Sequence, residues 1–261
     1  MKLSVFTVMI GGEYDLESAA QLVAKSGYDG IEWRVHADFH VPVEGIEEQA
    51  EHVAKVARDA GLEIAALAPY IRASEPDQVE SLMRGAQRMG APRMRVGIPR
   101  YDRSTNYWSL LAQAQRDFEG VEKLSRRYGV QAMVELHHGN IACSASLAKR
   151  LVEKFDPTHV GVIFDPGNMV AEGYENWRMG LEVLGHHLAH VHVKNTRWER
   201  VEGRWRHAWA LMEEGIVDWA QVVGDLKSVG YNGWLSCEDF AEVPVAEKVA
   251  ADQKLLRKLI A

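Results

Sequence analysis

Cysteine is scarce. Only Cys143 and Cys237 occur in 261 residues, too few and too unpatterned for a disulfide framework, so a reducing, cytoplasmic setting is expected. A basic block is also missing. Lys and Arg number 30 against 37 Asp and Glu, a formal net charge of −7. That disfavours nucleic acid as a partner, because binding a phosphate backbone draws on clustered lysine and arginine. No linker, low-complexity tract or change of composition interrupts the chain, so residues 1–261 read as one domain. The opening MKLSVFTVMIGG imitates a short signal peptide, but Gly, Glu and Asp follow it and no small-residue cleavage site appears. It reads as a first strand, and no membrane partner is expected.

What is present is a repeating phrase: an amphipathic stretch, a glycine, a short turn and a strand-like apolar run. Gly27, Gly61, Gly90, Gly129, Gly185 and Gly230 stand where helices would stop, and Asp156-Pro157 serves where glycine is absent. A residue without a Cβ enters the left-handed conformation that ends a helix at least cost. The strands read LSVFTVMI, GIEWRV, IAALAPY, MRVGIP, QAMVELH, VGVIFDP, LAHVHVKN and GWLSCED. Eight such units in this length predict a (β/α)₈ TIM barrel, which typically needs about 250 residues.

Glu135, Asp165, His192 and Glu238 end four of these runs, one per strand. A barrel would bring all four to its C-terminal rim, where the βα loops hold the chemistry. Strand alternation then turns Met133 and His137 inward with Glu135, and His190 and Lys194 inward with His192. Pro166 stops the sixth strand and leaves the Asp165 carboxylate at the rim. Glu238 points in with Ser236, while Cys237 and Asp239 face outward. His190 is expected to be structural. His137 and Lys194 are candidates for substrate contact.

Three carboxylates and one imidazole make a mostly hard donor set, suited to one divalent ion: manganese, magnesium or cobalt, with zinc also admissible. Such an ion polarises a carbonyl, acidifies the neighbouring C–H and supports an enediolate. On the opposite rim Glu32, Trp33, Arg34 and His36 close the second strand and are candidates for the far wall. The segment 196–217, rich in arginine and tryptophan, reads either as a lid over a sugar or as a solvated, oligomer-facing loop, which leaves room for a homo-oligomer.

VELHHGN, IFDPGNM, HVHVKN and SCEDF together resemble the four metal-binding signatures of the xylose-isomerase-like sugar phosphate isomerase/epimerase superfamily, and the likeness spans essentially the whole chain. The resemblance implies a divalent metal, usually manganese, on Glu135, Asp165, His192 and Glu238, with Glu135 and Glu238 as the acid/base pair. DPGN and EEGIVDW are similar to segments of L-ribulose-5-phosphate and L-xylulose-5-phosphate 3-epimerases. Asn168 stands where free-ketose epimerases and endonuclease IV carry histidine. The Arg-x-Val-Pro stretch that often binds substrate has no clear counterpart, and Arg206 and His207 occupy that region.

The implied activity is isomerisation or epimerisation of a keto-sugar or sugar phosphate through an enediolate, with a small carbohydrate as partner and His137, Asn168, Lys194, Arg206, Trp33 and Glu32 as candidate substrate contacts. A keto-sugar or inosose dehydratase would use the same site. A phosphodiesterase of the endonuclease IV type and a non-catalytic barrel are the remaining alternatives.

Overall fold

Eight strands close a parallel barrel in the computed structural model, which describes residues 1–261. The chain order is β1 (Lys2–Phe6), β2 (Gly30–Val35), β3 (Glu63–Pro69), β4 (Arg93–Arg95), β5 (Gln131–Glu135), β6 (Val160–Phe164), β7 (Leu188–Val193), then β8 (Asn195–Val201), β9 (Arg204–Ala210) and β10 (Trp234–Cys237). Neighbours around the barrel are β1-β10-β7-β6-β5-β4-β3-β2, and β8 and β9 form a separate two-stranded sheet. Helices α1 (Leu16–Lys25), α2 (Ile46–Asp59), α3 (Pro76–Met89), α4 (Tyr107–Tyr128), α5 (Ala145–Val152), α6 (Pro166–Ala171), α7 (Trp177–Leu184), α8 (Trp219–Ser228) and α9 (Val245–Ile260) fill the connections. No helix is long and apolar enough to cross a membrane.

The glycines expected to stop helices all have positive φ, from 55° to 83°. At Gly129 (φ 67°) this turn lets the backbone N–H close on Ser125 O after 22 residues of α4, the left-handed helix end that other residues adopt only at a cost. The first strand is shorter than its apolar run suggests. After Phe6 the chain curls into two 3₁₀ turns, Thr7–Met9 and Gly11–Glu13, and the Thr7 hydroxyl accepts from the Arg34 N–H of the next strand. The 196–217 segment is likewise not an irregular loop: most of it is the β8–β9 hairpin, turning at Glu202 (φ 51°) and Gly203 (φ 77°).

Alternation along the strands sorts the side chains into two populations. Leu3, Val5, Ile31, Trp33, Leu67, Met94, Val134, Val162, Val191 and Leu235 face the helices and belong to one apolar core. Ala66, Met133 and Ile163 form a second, much smaller cluster within the barrel. Most of the rest of the interior is polar: Ser4, Glu32, Arg95, Glu135, His190, His192 and Ser236 are all buried, and the Phe6 ring stacks on His192 at 5.3 Å. Apolar area outside the barrel therefore carries the folding stability, which leaves the interior free for chemistry.

One polar group sits on the helical side. Behind β10, the Tyr28 hydroxyl donates to Val249 O at 3.0 Å, and Lys248 Nζ donates to Asp239 O at 2.9 Å. Asp252 on α9 is 3 % exposed; burial, and then the Asp239 charge, push its carboxyl up to about 8. Because this folded pKa lies above the unfolded value near 3.9, the stability it contributes is complete below about pH 4 and is lost as pH rises towards 8. Asp252→Asn should therefore match the wild type in thermal stability near pH 4.5 and exceed it near pH 9. We expect a gap of at least about 2–4 °C, the effect of roughly 1 kcal/mol in a chain of this size. Melting curves of both proteins across this range check it, and a constant difference would count against the assignment.

Candidate metal centre

Glu135 ends β5, Asp165 directly follows β6, His192 lies in β7 and Glu238 directly follows β10. One ligand atom from each comes within 4.8 Å of every other. His192 Nδ1 lies 3.1 Å from Glu135 Oε1, 3.8 Å from Asp165 Oδ2 and 3.5 Å from Glu238 Oε2. All four residues are buried. The donor chemistry fits a divalent cation: oxygen and nitrogen atoms converge from four strands, and a cation is already drawn in from the protein itself. Lys194 Nζ sits 2.8 Å from Asp165 Oδ2 and 2.5 Å from Glu238 Oε2.

Asp165 has two tasks. It caps α6, whose first residue is Pro166: Oδ1 accepts from the Asn168 backbone N–H at 2.9 Å, leaving Oδ2 for the cluster. Asn168 continues the arrangement, its Nδ2 donating to Asp165 Oδ2 at 2.7 Å and to Leu136 O at 3.1 Å. Gly167 is required by close approach, since a Cβ there would lie 2.6 Å from Lys194 Cγ. The DPGN sequence thus packs a helix start against the lysine it faces.

Beneath the cluster lies a second tier. Glu32 accepts from His190 Nε2 at 2.8 Å and pairs with His192 Nε2 at 3.1 Å. Burial alone would raise the Glu32 carboxyl, but the two imidazoles hold it well below the usual carboxylate range. Burial likewise opposes charge on His192, yet Glu32 and Glu135 raise its pKa well above the ordinary value. Glu32 is therefore not part of a far wall at the rim; it is a buried partner that fixes the His192 ring so that Nδ1 points at the three carboxylates.

Glu135 and Glu238 are in different surroundings. Burial raises both, but Arg95 Nη1 lies 2.6 Å from Glu135 Oε2, and this guanidinium with His192 holds Glu135 well below the usual range. For Glu238 burial prevails over Lys194 and His192, and the carboxyl stays above its ordinary value. The lysine remains protonated because Asp165 and Glu238 outweigh its own burial. Arg95, from the run MRVGIP, has a central place that alternation alone did not reveal. A charged side chain in an otherwise apolar run was its one visible sign.

The other candidates fall in different places. His137 lines the cavity above Glu135, with Nδ1 at 2.7 Å from His138 O. Trp33 is outside the site: it is fully buried among the outward-facing residues, one step out of phase with Glu32. Arg206 is exposed and pairs across the hairpin with Glu199, on the side opposite the aromatic face formed by Trp198, His207 and Trp209. His207 is the residue turned to the site, its ring 6.0 Å from that of His138 and its Nε2 bonded to the Thr196 hydroxyl. Trp209 and Phe240 flank the Lys194 ammonium at 5.5 and 5.6 Å.

If Glu32 holds the His192 ring, Glu32→Gln should weaken divalent-ion binding by about 10–100-fold, the usual effect of losing a carboxylate behind a ligating histidine. His192→Ala should abolish it. Titration with Mn²⁺ against a fluorescent chelator checks both, and binding by Glu32→Gln equal to wild type would remove this role.

The chain matches the family described as xylose isomerase-like TIM barrel over residues 20–259. An inosose dehydratase of Geobacillus thermodenitrificans is 26% identical over 145 residues, 50% of this chain and 46% of that protein. The chain spans about half the length of the curated relatives it matches. Among solved structures, D-psicose 3-epimerase with D-tagatose from Clostridium cellulolyticum H10 superposes with a TM-score of 0.77 at 15% identity, covering 100% of this chain and 99% of that one. The probable 3-DHS dehydratase of Bacillus anthracis gives 0.78 at 16% identity, covering 98% and 99%. Eight closed parallel strands and the extent of the family match agree: this chain belongs to the xylose isomerase-like TIM barrel family.

Proposed function

We propose that the protein is a divalent-metal-dependent isomerase or epimerase of a keto-sugar or sugar phosphate, working through an enediolate. The observation that carries this reading is the convergence of Glu135, Asp165, His192 and Glu238, with Glu135 also forming part of the wall of a small cavity. The cavity measures about 230 Å³, below the roughly 300–1,000 Å³ of drug-sized sites, which suits a single small molecule. An ion held by those four residues, manganese by resemblance, would supply Lewis-acid polarisation of a carbonyl.

The protein's own groups do the rest. Glu135, kept ionised by Arg95, is the base that takes the proton from the carbon beside the carbonyl, and the electron pair moves onto the carbonyl oxygen. Glu238, which retains a proton more readily, returns one to the opposite face of that carbon. The two carboxyls finish with exchanged protonation and the centre is inverted. Such a division of labour requires two acids whose environments separate their proton affinities, and here Arg95 makes the difference. Lys194 balances the charge of Asp165 throughout and that of Glu238 once its proton is given up.

A second reading, loss of water β to the carbonyl, is supported by the relatives named inosose dehydratase and by the neighbour named 3-DHS dehydratase. It begins with the same proton removal. The β-hydroxyl then leaves as water with a proton from an acid, and a double bond conjugated to the carbonyl forms.

Glu135→Gln and Glu238→Gln should each lower turnover by roughly 10²-fold or more, the usual size of a general acid–base contribution. Turnover in D₂O, followed by NMR and absorbance, should place one deuterium on an inverted carbon without forming a conjugated chromophore. A chromophore appearing with loss of water would transfer the assignment to the dehydratase. Product without solvent deuterium would remove the two-glutamate route.

A further inference from the structure

Arg34 is a buried cation with no counterion. It is the next inward residue above Glu32 on β2, is 8 % exposed, and its Nε and Nη1 have no hydrogen-bond partner. The ion pairs of the site run from Arg95 to Glu135 and from Lys194 to Asp165 and Glu238, and none reaches Arg34. Its neighbours are aromatic instead: the guanidinium carbon lies 3.3 Å from the centre of the Tyr70 ring and 5.2 Å from that of Phe39. Burial brings its pKa down to about 10, so it is still charged at neutral pH. A ring face offsets only part of the cost of desolvating a charge, and buried donors left without acceptors call for an explanation.

The surroundings of Arg34 supply one. Tyr70 also touches the Arg95 guanidinium, at 3.6 Å. Tyr70, Arg72, Arg95 and Arg100 line the same cavity as Glu135 and His137, and Arg72 and Arg100 are exposed at its rim. These residues come from β2, β3, β4 and the segments that follow them, three adjacent strands. The four candidate metal ligands come from β5, β6, β7 and β10, on the other side of the barrel. Arg72, Arg95 and Arg100 therefore line one part of the cavity and Glu135, His137 and His138 another, and Arg34 lies against the Tyr70 ring that forms part of its wall. Arg95 is already engaged by Glu135, whereas Arg34 is free. The planar fork of an arginine matches two oxygens of a carboxylate or phosphate better than it matches isolated hydroxyls.

We propose that Arg34, with Arg72 and Arg100 at the rim, binds an oxyanion of the substrate, a carboxylate or a phosphate ester, at the end remote from the carbon that loses its proton. Substrate recognition is thus assigned to the β2–β4 arc and not to the arginines of the hairpin. The proposal rests on the enolising reading given above, but its test needs no turnover.

Calorimetric titration of the Mg²⁺-loaded protein with D-fructose, D-fructose 6-phosphate and 5-keto-D-gluconate compares a neutral ligand with its phosphorylated and carboxylated counterparts. At least one anion should bind tenfold or more tightly than the neutral sugar, and which one does so identifies the group. Arg34→Met should abolish that preference without altering affinity for D-fructose. The double variant Arg72→Gln/Arg100→Gln, confined to exposed positions, should reduce it at least threefold and keeps the test valid if Arg34→Met does not fold. Equal affinity for neutral and charged ligands, a failure of all three to bind, or an anion preference unchanged in the variants would overturn the proposal. Anion preference without any deuterium exchange would instead leave the arginine site standing and remove the enolising function.

Discussion

The paired contact of His192 with Glu32 below and Glu135 above is the constraint on which the site depends. Four carboxylates, Glu32, Glu135, Asp165 and Glu238, are buried within one barrel, where an unpaired charge costs several kcal/mol. They are tolerated because His192, Lys194 and Arg95 are buried with them at 2.5–3.1 Å. Each carboxylate has a cationic partner that comes from a different strand than its own. The arrangement exists only when the barrel is closed, so chemistry and fold are coupled through electrostatics.

That coupling assigns distinct work to the two layers of the molecule. The apolar core between strands and helices is continuous, and it closes the barrel in which the charges are placed. The inner layer contributes little apolar area and is free to be polar. Lys194 shows the economy of the arrangement. Its ammonium balances Asp165 and Glu238, its stem passes over Gly167, and Trp209 and Phe240 close around its head. The hairpin that supplies Trp209 is thereby tied to the site through an aromatic face, while Arg197, Arg204 and Arg206 lie on its other face.

Much of the architecture was legible in the chain because two local rules repeat. Glycines marked helix ends, since the left-handed conformation is sterically cheap only without a Cβ. Apolar runs marked strands, since each barrel strand turns an apolar side to the helices. The period of two along a strand then placed Glu135 with His137, and His192 with His190 and Lys194. The same rule, applied to GIEWRV, separates Glu32 from Trp33 and would have removed the tryptophan from the candidates. In the 196–217 segment, composition suggested sugar binding, but only strand pairing decides which face His207 and Arg206 occupy. Arg95 escaped notice because its partner lies on another strand, 40 positions away.

By itself the sequence determined the barrel and the four residues that gather at its rim, because these follow from local sterics and the alternation of side chains. Tertiary structure alone decided that Glu32 lies beneath His192, that Arg95 pairs with Glu135 and that Arg34 is left without a partner. Those facts are distances between residues on different strands, set by the register and closure of the barrel. Coulombic and hydrogen-bond energies depend on such distances and on burial, and neither is encoded in the neighbours of a residue along the chain.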